Sequence, residues 1–296
     1  MSDQRKPLPA PDYVTIDGAS IATYLLPEKT SGGCEAVVLC HGTPWSAEVW
    51  AQAAGRLNDR YRVYLWDMPG YGASTQQPDV AVDLASQMSR LAKLLAHWGL
   101  ERPYVVAHDI GGAVALGAHL LHERPYAGLF LWDVVTLEPW GSAFFRLVAE
   151  HADVFAQLPD PLHAALVNEY IAGAAAQRLS PEWKATLARP WLSAAGKSAF
   201  YRQIAALRPE HTRPVAERLG QARCEVGIGW GADDPWIPVE QATRLREQLP
   251  GDDPVVRLAE VGHLSPVEAE SAVTGALLEW LARSVDSTTA GAPEGW

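Results

Sequence analysis

Ala107-His108-Asp109-Ile110-Gly111-Gly112 joins an apolar run, Tyr104 to Ala107, to an Ala/Gly-rich stretch, Gly111 to Leu121. The first reads as a buried strand. The second reads as a helix able to lie close against a sheet. The junction is therefore a strand-turn-helix corner with an aspartate at its apex. Taken alone, that aspartate could simply cap the helix behind it. What surrounds the corner decides between a cap and a reactive group.

Outward from the corner, short buried-strand runs alternate with helical stretches. Ala36 to Cys40 is a strand run ending at His41-Gly42, and Tyr61 to Trp66 is another, ending at Asp67-Met68-Pro69-Gly70. Val80 to Trp98 is amphipathic at helical spacing, through Leu84, Met88, Leu91, Leu95 and Trp98. Leu129 to Val135 is a further strand run. This alternation implies a mostly parallel sheet covered on both faces. From 137 to 222 strand signals give way to helical stretches rich in Ala, Leu and aromatics. Strands resume at Cys224 to Gly229 and Val255 to Glu260, and a last helix spans Pro266 to Arg283. The reading is a core of residues 1–136 and 223–283, a helical cap at 137–222, and a disordered tail at 284–296.

Three further motifs stand in order around the corner. His41-Gly42-Thr43-Pro44 follows the early strand. Gly231-Ala232-Asp233-Asp234-Pro235-Trp236-Ile237-Pro238 and Gly262-His263-Leu264-Ser265-Pro266 follow the last two. A G-x-S-x-G elbow presents its nucleophile on a strained turn flanked by small residues; here Ala107 replaces the first glycine and Asp109 the serine. The order nucleophile, acid, histidine completes the pattern. Together these motifs resemble the epoxide hydrolase and haloalkane dehalogenase branch of the α/β-hydrolase superfamily, over about residues 30 to 283. The resemblance implies that fold, with a helical cap over the sheet. It also implies an Asp109–His263–Asp234 triad and an oxyanion hole from the backbone N–H groups of Thr43 and Ile110. Asp133 is the alternative acid, because some relatives carry theirs after the strand that follows the elbow. Asp233 reads as a turn residue, His41 as a loop brace and His108 as a support for the elbow. His119 and His122 read as structural.

A carboxylate nucleophile suits saturated carbon with a good or activated leaving group. On an ester carbonyl it would give a readily reversed anhydride. Asp109 therefore points to opening an epoxide or a carbon–halogen bond through an alkyl-enzyme ester, which His263 then hydrolyses by activating water. The leaving group is less legible. Ile110 and Thr43 stand where dehalogenases usually carry a Trp and an Asn, so the common halide cradle is missing. Trp45, or a cap indole among Trp140, Trp183 and Trp191, is a possible substitute. Tyr170 and Tyr201 are the cap tyrosines suited to donate to an epoxide oxygen. Epoxide opening ranks first and dehalogenation second. Ligand binding without turnover, or esterase or lyase chemistry with Asp109 as a base, remains open.

Composition narrows the partners. The 296 residues carry 24 basic and 35 acidic side chains, a formal charge of -11, with no basic cluster. Nucleic acid and anionic membranes are therefore excluded as electrostatic partners. The N-terminal stretch to Tyr13 is polar and Pro-rich, without a signal-type apolar run. No run approaches the length of a membrane span. The expectation is a cytoplasmic monomer or homodimer acting on a small apolar organic substrate, without metal or organic cofactor. Cys34, Cys40 and Cys224 have no metal-type spacing and read as buried free thiols.

Overall fold

The computed structural model describes residues 7–27, 35–74 and 76–290. The chain opens with a hairpin outside the strand runs above: β1 (Asp12–Ile16) and β2 (Ala19–Leu25). They are joined by Asp17-Gly18, both at positive φ (50° and 75°), as a two-residue turn of primed type requires. Then follow β3 (Ala36–Cys40), α1 (Ala51–Leu57), β4 (Arg62–Trp66), α2 (Leu84–His97), β5 (Tyr104–His108), α3 (Ile110–Leu120) and β6 (Gly128–Trp132). Asp83 starts α2 later than the apolar spacing implies, its carboxylate accepting Ser86 N–H at 2.9 Å.

The eight strands form one sheet in the order β1-β2-β4-β3-β5-β6-β7-β8, completed by β7 (Glu225–Gly231) and β8 (Val256–Leu258). Only β2 runs against the others. Every residue of β3, β5 and β6 is buried. That matches the continuous apolar runs of strands covered on both faces. From β3 the chain moves outward to β4, then crosses back to β5 on the other side. Such a switch leaves a crevice at the carboxyl ends of the strands.

Between β6 and β7 the described chain holds no strand. It contains α4 (Ala143–Ala156), α5 (Asp160–Ala172), α6 (Pro181–Ala188), α7 (Ala194–Ala206) and α8 (Arg213–Ala216). This helical layer is hydrogen-bonded to the loops at the carboxyl ends of the strands. Trp191 Nε1–H donates to the Pro44 carbonyl at 2.9 Å, and His263 N–H donates to the Ala174 carbonyl at 2.8 Å. Glu268 adds a second tie, accepting Ala176 and Gln177 N–H at 2.8 and 3.0 Å.

The chain continues through α9 (Glu240–Gln248) and α10 (Ser265–Glu268), and α11 (Glu270–Ala290) follows. Residues 284–290 correct the expected disordered tail, because α11 runs on through Ala290. Ser284 is buried, and its hydroxyl lies 2.8 Å from a Glu225 carboxylate oxygen, anchoring this turn to the start of β7. The remainder of that tail, 291–296, lies outside the described residues, as does Cys34. Cys40 is a buried free thiol; Cys224 is free and partly exposed. Among the described residues, no helix is long and apolar enough to cross a membrane.

Candidate active site

The corner after β5 is strained in the way the motif requires. Asp109 has φ 53° and ψ −127°, a conformation non-glycine residues rarely adopt. It is held by backbone bonds on both sides: Asp109 N–H to the Trp132 carbonyl at 3.2 Å, and Gly112 and Val135 N–H to its own carbonyl at 2.9 and 3.1 Å. The turn also needs space. A Cβ on Gly111 would lie 2.4 Å from the His41 carbonyl oxygen, so α3 can begin this close to β3 only with glycine there. The Asp109 side chain makes no cap bond to α3, which removes the bland explanation of this residue. Instead Oδ2 accepts Thr43 N–H at 2.7 Å.

His263 lies on the other side of that carboxylate. Its Nε2 is 3.7 Å from Asp109 Oδ1, beyond hydrogen-bond range, and this buried nitrogen has no other hydrogen-bond partner. Its Nδ1–H donates to Asp234 Oδ2 at 2.8 Å. Asp234 Oδ1 in turn accepts Trp236 and Ile237 N–H at 2.7 and 2.8 Å, fixing the carboxylate. Burial opposes charge on His263, but the Asp234 and Asp109 carboxylates together outweigh it. The imidazole is held protonated well above its ordinary range.

Asp133 is close but bonded elsewhere. It accepts Gly231 N–H at 2.6 Å and makes a short contact with Ser265 Oγ, and it does not touch the imidazole. Asp234 therefore occupies the acid's geometry and Asp133 does not. The other histidines serve the frame. His41 accepts Met68 N–H on Nε2 at 2.9 Å and donates from Nδ1 to the Gly42 carbonyl at 2.7 Å. Burial keeps it neutral. His108 Nε2–H donates to the His263 carbonyl at 2.7 Å and so supports the histidine loop as well as the elbow. His119 links α3 to residues 124 and 223.

A small cavity opens over Asp109 and His263. Thr43 and Ile110 line it beside Asp109, and Trp140, Phe145, Tyr170 and Trp236 supply aromatic walls. No Lys or Arg lines it. Of the two cap tyrosines, only Tyr170 reaches this space. Its ring stacks on Trp236 (centroids 4.7 Å apart), and Trp236 lies against His263 at 5.0 Å. Burial, then the nearby Asp109 charge and Tyr71, keep the Tyr170 hydroxyl protonated.

Two expected contacts are corrected. Tyr201 does not line the cavity: it is 1% exposed, and its hydroxyl donates to His163 Nδ1 at 2.8 Å while His163 Nε2–H is used by the Trp191 carbonyl. A residue on α7 can face either the cavity or the interior of the cap, and helix spacing alone does not say which. Trp45 also stands back, 1% exposed and stacked behind Trp236 at 5.8 Å. Of the candidate halide cradles, Trp140 Nε1–H is committed to Thr212 Oγ1 at 3.0 Å and Trp191 Nε1–H to Pro44, while Trp45 Nε1–H has no hydrogen-bond partner but stands outside the cavity lining.

Gln203 was not legible as a site residue. It reaches down from α7, fully buried, and its Oε1 accepts both Thr43 Oγ1–H at 2.8 Å and Tyr71 O–H at 2.7 Å. It thus ties the cap to the loop whose N–H holds Asp109. Its helix also carries Lys197, Ser198 and Arg202, so nothing in the local sequence singles it out.

Similarity to known proteins agrees with this architecture. A family model described as the alpha/beta hydrolase family matches residues 37–276. A solved structure, an alpha/beta hydrolase fold protein from Burkholderia ambifaria, superposes with a TM-score of 0.88 and 38% identity, covering 93% of this chain and all of that one (100%). A 2-hydroxy-6-oxononadienedioate/2-hydroxy-6-oxononatrienedioate hydrolase from Burkholderia vietnamiensis is 26% identical over 285 residues, 92% of this chain and 95% of its own. A soluble epoxide hydrolase from a Corynebacterium species is 30% identical over 122 residues, 41% of this chain and 42% of its own. With its eight-stranded sheet, its elbow and the family match on the same residues, the chain belongs to the alpha/beta hydrolase family.

Proposed function

We propose that this enzyme hydrolyses a small, uncharged, largely apolar epoxide to a diol through an ester formed on Asp109. The observation that carries this reading is the carboxylate's setting: Oδ2 is held by Thr43 N–H at 2.7 Å while Oδ1 stays free beside His263, facing a cavity walled by aromatics. Oδ1 is the oxygen available to attack. A new Oδ1–carbon bond forms as the epoxide carbon–oxygen bond breaks, and the electron pair of that bond goes to the departing oxygen. Tyr170 donates a hydrogen bond and then a proton to this oxygen.

The charge balance supports two steps. Ester formation consumes the Asp109 charge that helps to hold His263 protonated. The imidazole then gives up a proton, which replaces the one Tyr170 delivered. Neutral His263 takes a proton from water as the water oxygen attacks the ester carbon. Oδ2 becomes the oxyanion, already facing Thr43 N–H, with Ile110 N–H as the second proposed donor. Collapse releases the diol and restores the Asp109 carboxylate and the His263 cation. Asp234 holds the imidazole tautomer throughout.

Dehalogenation shares every step except the leaving group, but a halide needs N–H donors. The cap indoles Trp140 and Trp191 have spent theirs on Thr212 and Pro44. The test is the intact mass of a His263→Gln variant after incubation with small aryl epoxides, haloalkanes and esters. Removing the base strands the ester. A gain equal to a whole epoxide, mapped to Asp109, is the expected result. A gain equal to a haloalkane less HX would transfer the assignment to dehalogenation. Turnover of an ester or a carbon–carbon bond with no adduct would overturn the covalent mechanism.

A further inference from the structure

Asp133 is a completely buried carboxylate that the proposed reaction does not use. It follows β6 at φ 48°, and its own N–H donates to the Gly229 carbonyl at 3.1 Å. Its neighbours brace the elbow: Trp132 supplies a carbonyl to Asp109 N–H, and Val135 N–H donates to the Asp109 carbonyl. Its Oδ1 accepts Gly231 N–H at 2.6 Å, at the start of the loop carrying Asp234. Its Oδ2 meets Ser265 Oγ, two residues after His263, and Ser265 Oγ lies 3.3 Å from the Gly262 carbonyl, one residue before it. The Asp133 side chain therefore joins the segments that bear Asp234 and His263, while the backbone on either side of it braces the elbow that bears Asp109.

Counting protons fixes its state. Ser265 has one hydroxyl proton. With Asp133 ionised, that proton must go to Oδ2, and the Gly262 carbonyl loses its donor. With Asp133 protonated, Oδ2–H donates to Ser265 Oγ, and Ser265 donates on to Gly262. Both contacts are then satisfied. Counting charges agrees. Asp109 and Asp234 already share one cation, His263, and a third carboxylate would leave this buried region with two net negative charges. We propose that Asp133 is a positioning residue that works as a neutral carboxylic acid, locking the acid and histidine loops together through Gly231 and a Ser265–Gly262 relay, next to the backbone that braces the elbow. Burial and then the Asp234 charge hold its carboxyl well above the usual carboxylate range. The groups facing it are Asp234, which opposes its ionisation, and His263, Ser265 and Gly231 N–H, which favour it; burial and Asp234 outweigh the other three.

This inference rests on the roles assigned to Asp109, Asp234 and His263, but its test needs no substrate. Infrared spectra of the wild type at about pH 7, far above the ordinary Asp pKa of about 3.9, should contain the carbonyl stretch of a protonated carboxyl group. That band should vanish in Asp133→Asn and shift in Ser265→Ala, where the acid loses its acceptor. The second measurement is the rate at which styrene oxide labels Asp109 in a His263→Gln background, where the ester persists. Asparagine keeps both contacts, Oδ1 accepting from Gly231 and Nδ2 donating to Ser265. Adding Asp133→Asn should therefore leave the rate within about threefold of His263→Gln alone, while adding Asp133→Leu loses about tenfold or more with its fold intact. A wild type without a neutral carboxyl band, or a band that neither Asp133→Asn nor Ser265→Ala alters, overturns the proposal. So does an Asp133→Asn difference spectrum that removes an ionised carboxylate. If Asp133→Asn does not fold, the Ser265→Ala spectrum decides alone. Absence of styrene oxide labelling in His263→Gln alone would count against the epoxide reading and leave the infrared result to stand.

Discussion

Gly42→Ala is the smallest change that should disarm the enzyme. A Cβ on residue 42 would lie 2.4 Å from Asp109 Cβ, 2.5 Å from Oδ2 and 2.8 Å from Cγ. Non-bonded heavy atoms settle at about 3.5–4.0 Å, so the carboxylate must retreat by roughly 1 Å. It cannot do so and keep the 2.7 Å bond from Thr43 N–H. A misplacement of about 1 Å at a reacting group costs on the order of 10²-fold in rate. At about 1.36 kcal/mol per tenfold, that is about 2.7 kcal/mol of lost transition-state stabilisation. The fold should survive, because Gly42 is not among the glycines at positive φ and alanine can adopt its backbone. Crowding of this kind costs about 1–3 kcal/mol of stability. The assay compares ester formation at Asp109 in Gly42→Ala/His263→Gln and His263→Gln alone, by intact mass against time, with melting curves as the fold control. Labelling within about threefold of the single variant would refute the claim that Oδ2 must sit in the Thr43 N–H.

Three more outcomes are expected. Tyr170→Phe should slow epoxide opening by about 10²-fold, the lower end of what a positioned acid contributes. Tyr201→Phe, which loses only a bond to His163, should cost about 1 kcal/mol of stability and leave the rate nearly unchanged; equal kinetic losses would mean both tyrosines serve the epoxide oxygen. Asp234→Asn should label at Asp109 but hydrolyse the ester on the order of 10²-fold more slowly, so adduct accumulates during turnover. If Asp133→Asn accumulates adduct instead, the acid is misassigned. The last outcome concerns pH. His263 has its folded-state value raised, so its stabilising contribution is complete below the ordinary imidazole value of about 6.5 and is lost as pH rises through the raised value. The wild-type Tm should therefore fall more steeply on the alkaline side than that of His263→Gln. Parallel Tm profiles from acid to alkaline pH would contradict a protonated resting histidine.

The sheet and the strand-turn-helix corner were legible because their signals are local. Strands covered on both faces are apolar end to end, and Ala107, Gly111 and Gly112 are the small residues that a tight corner at Asp109 needs. The first hairpin carried a local signal too, Asp17-Gly18 between β-branched runs, but exposed residues on β1 weakened its apolar pattern. The acid was only half legible. Asp133 and Asp234 both follow strands, and only the loop geometry turns one toward His263. The cap was least legible. Tyr170, Tyr201 and Gln203 lie on helices whose buried faces are divided among the cavity, the cap interior and the core, a choice made by tertiary packing. Gln203 meets Thr43 across 160 positions of sequence, beyond the reach of any periodicity.

The bond from His263 N–H to the Ala174 carbonyl bears on how this enzyme could be re-engineered. Exchanging caps is an obvious way to change which molecules such a scaffold accepts. Here the cap supplies an acceptor to the histidine's own backbone, and Gly262 has no room to shift, since a Cβ there would lie 2.4 Å from Ala176 N. A transplanted cap would therefore have to reproduce the backbone path of residues 174–176, whatever side chains it brought. Chimeras that keep this short segment native should retain a working base, and those that cross over within it should inherit a new pocket above an inert histidine.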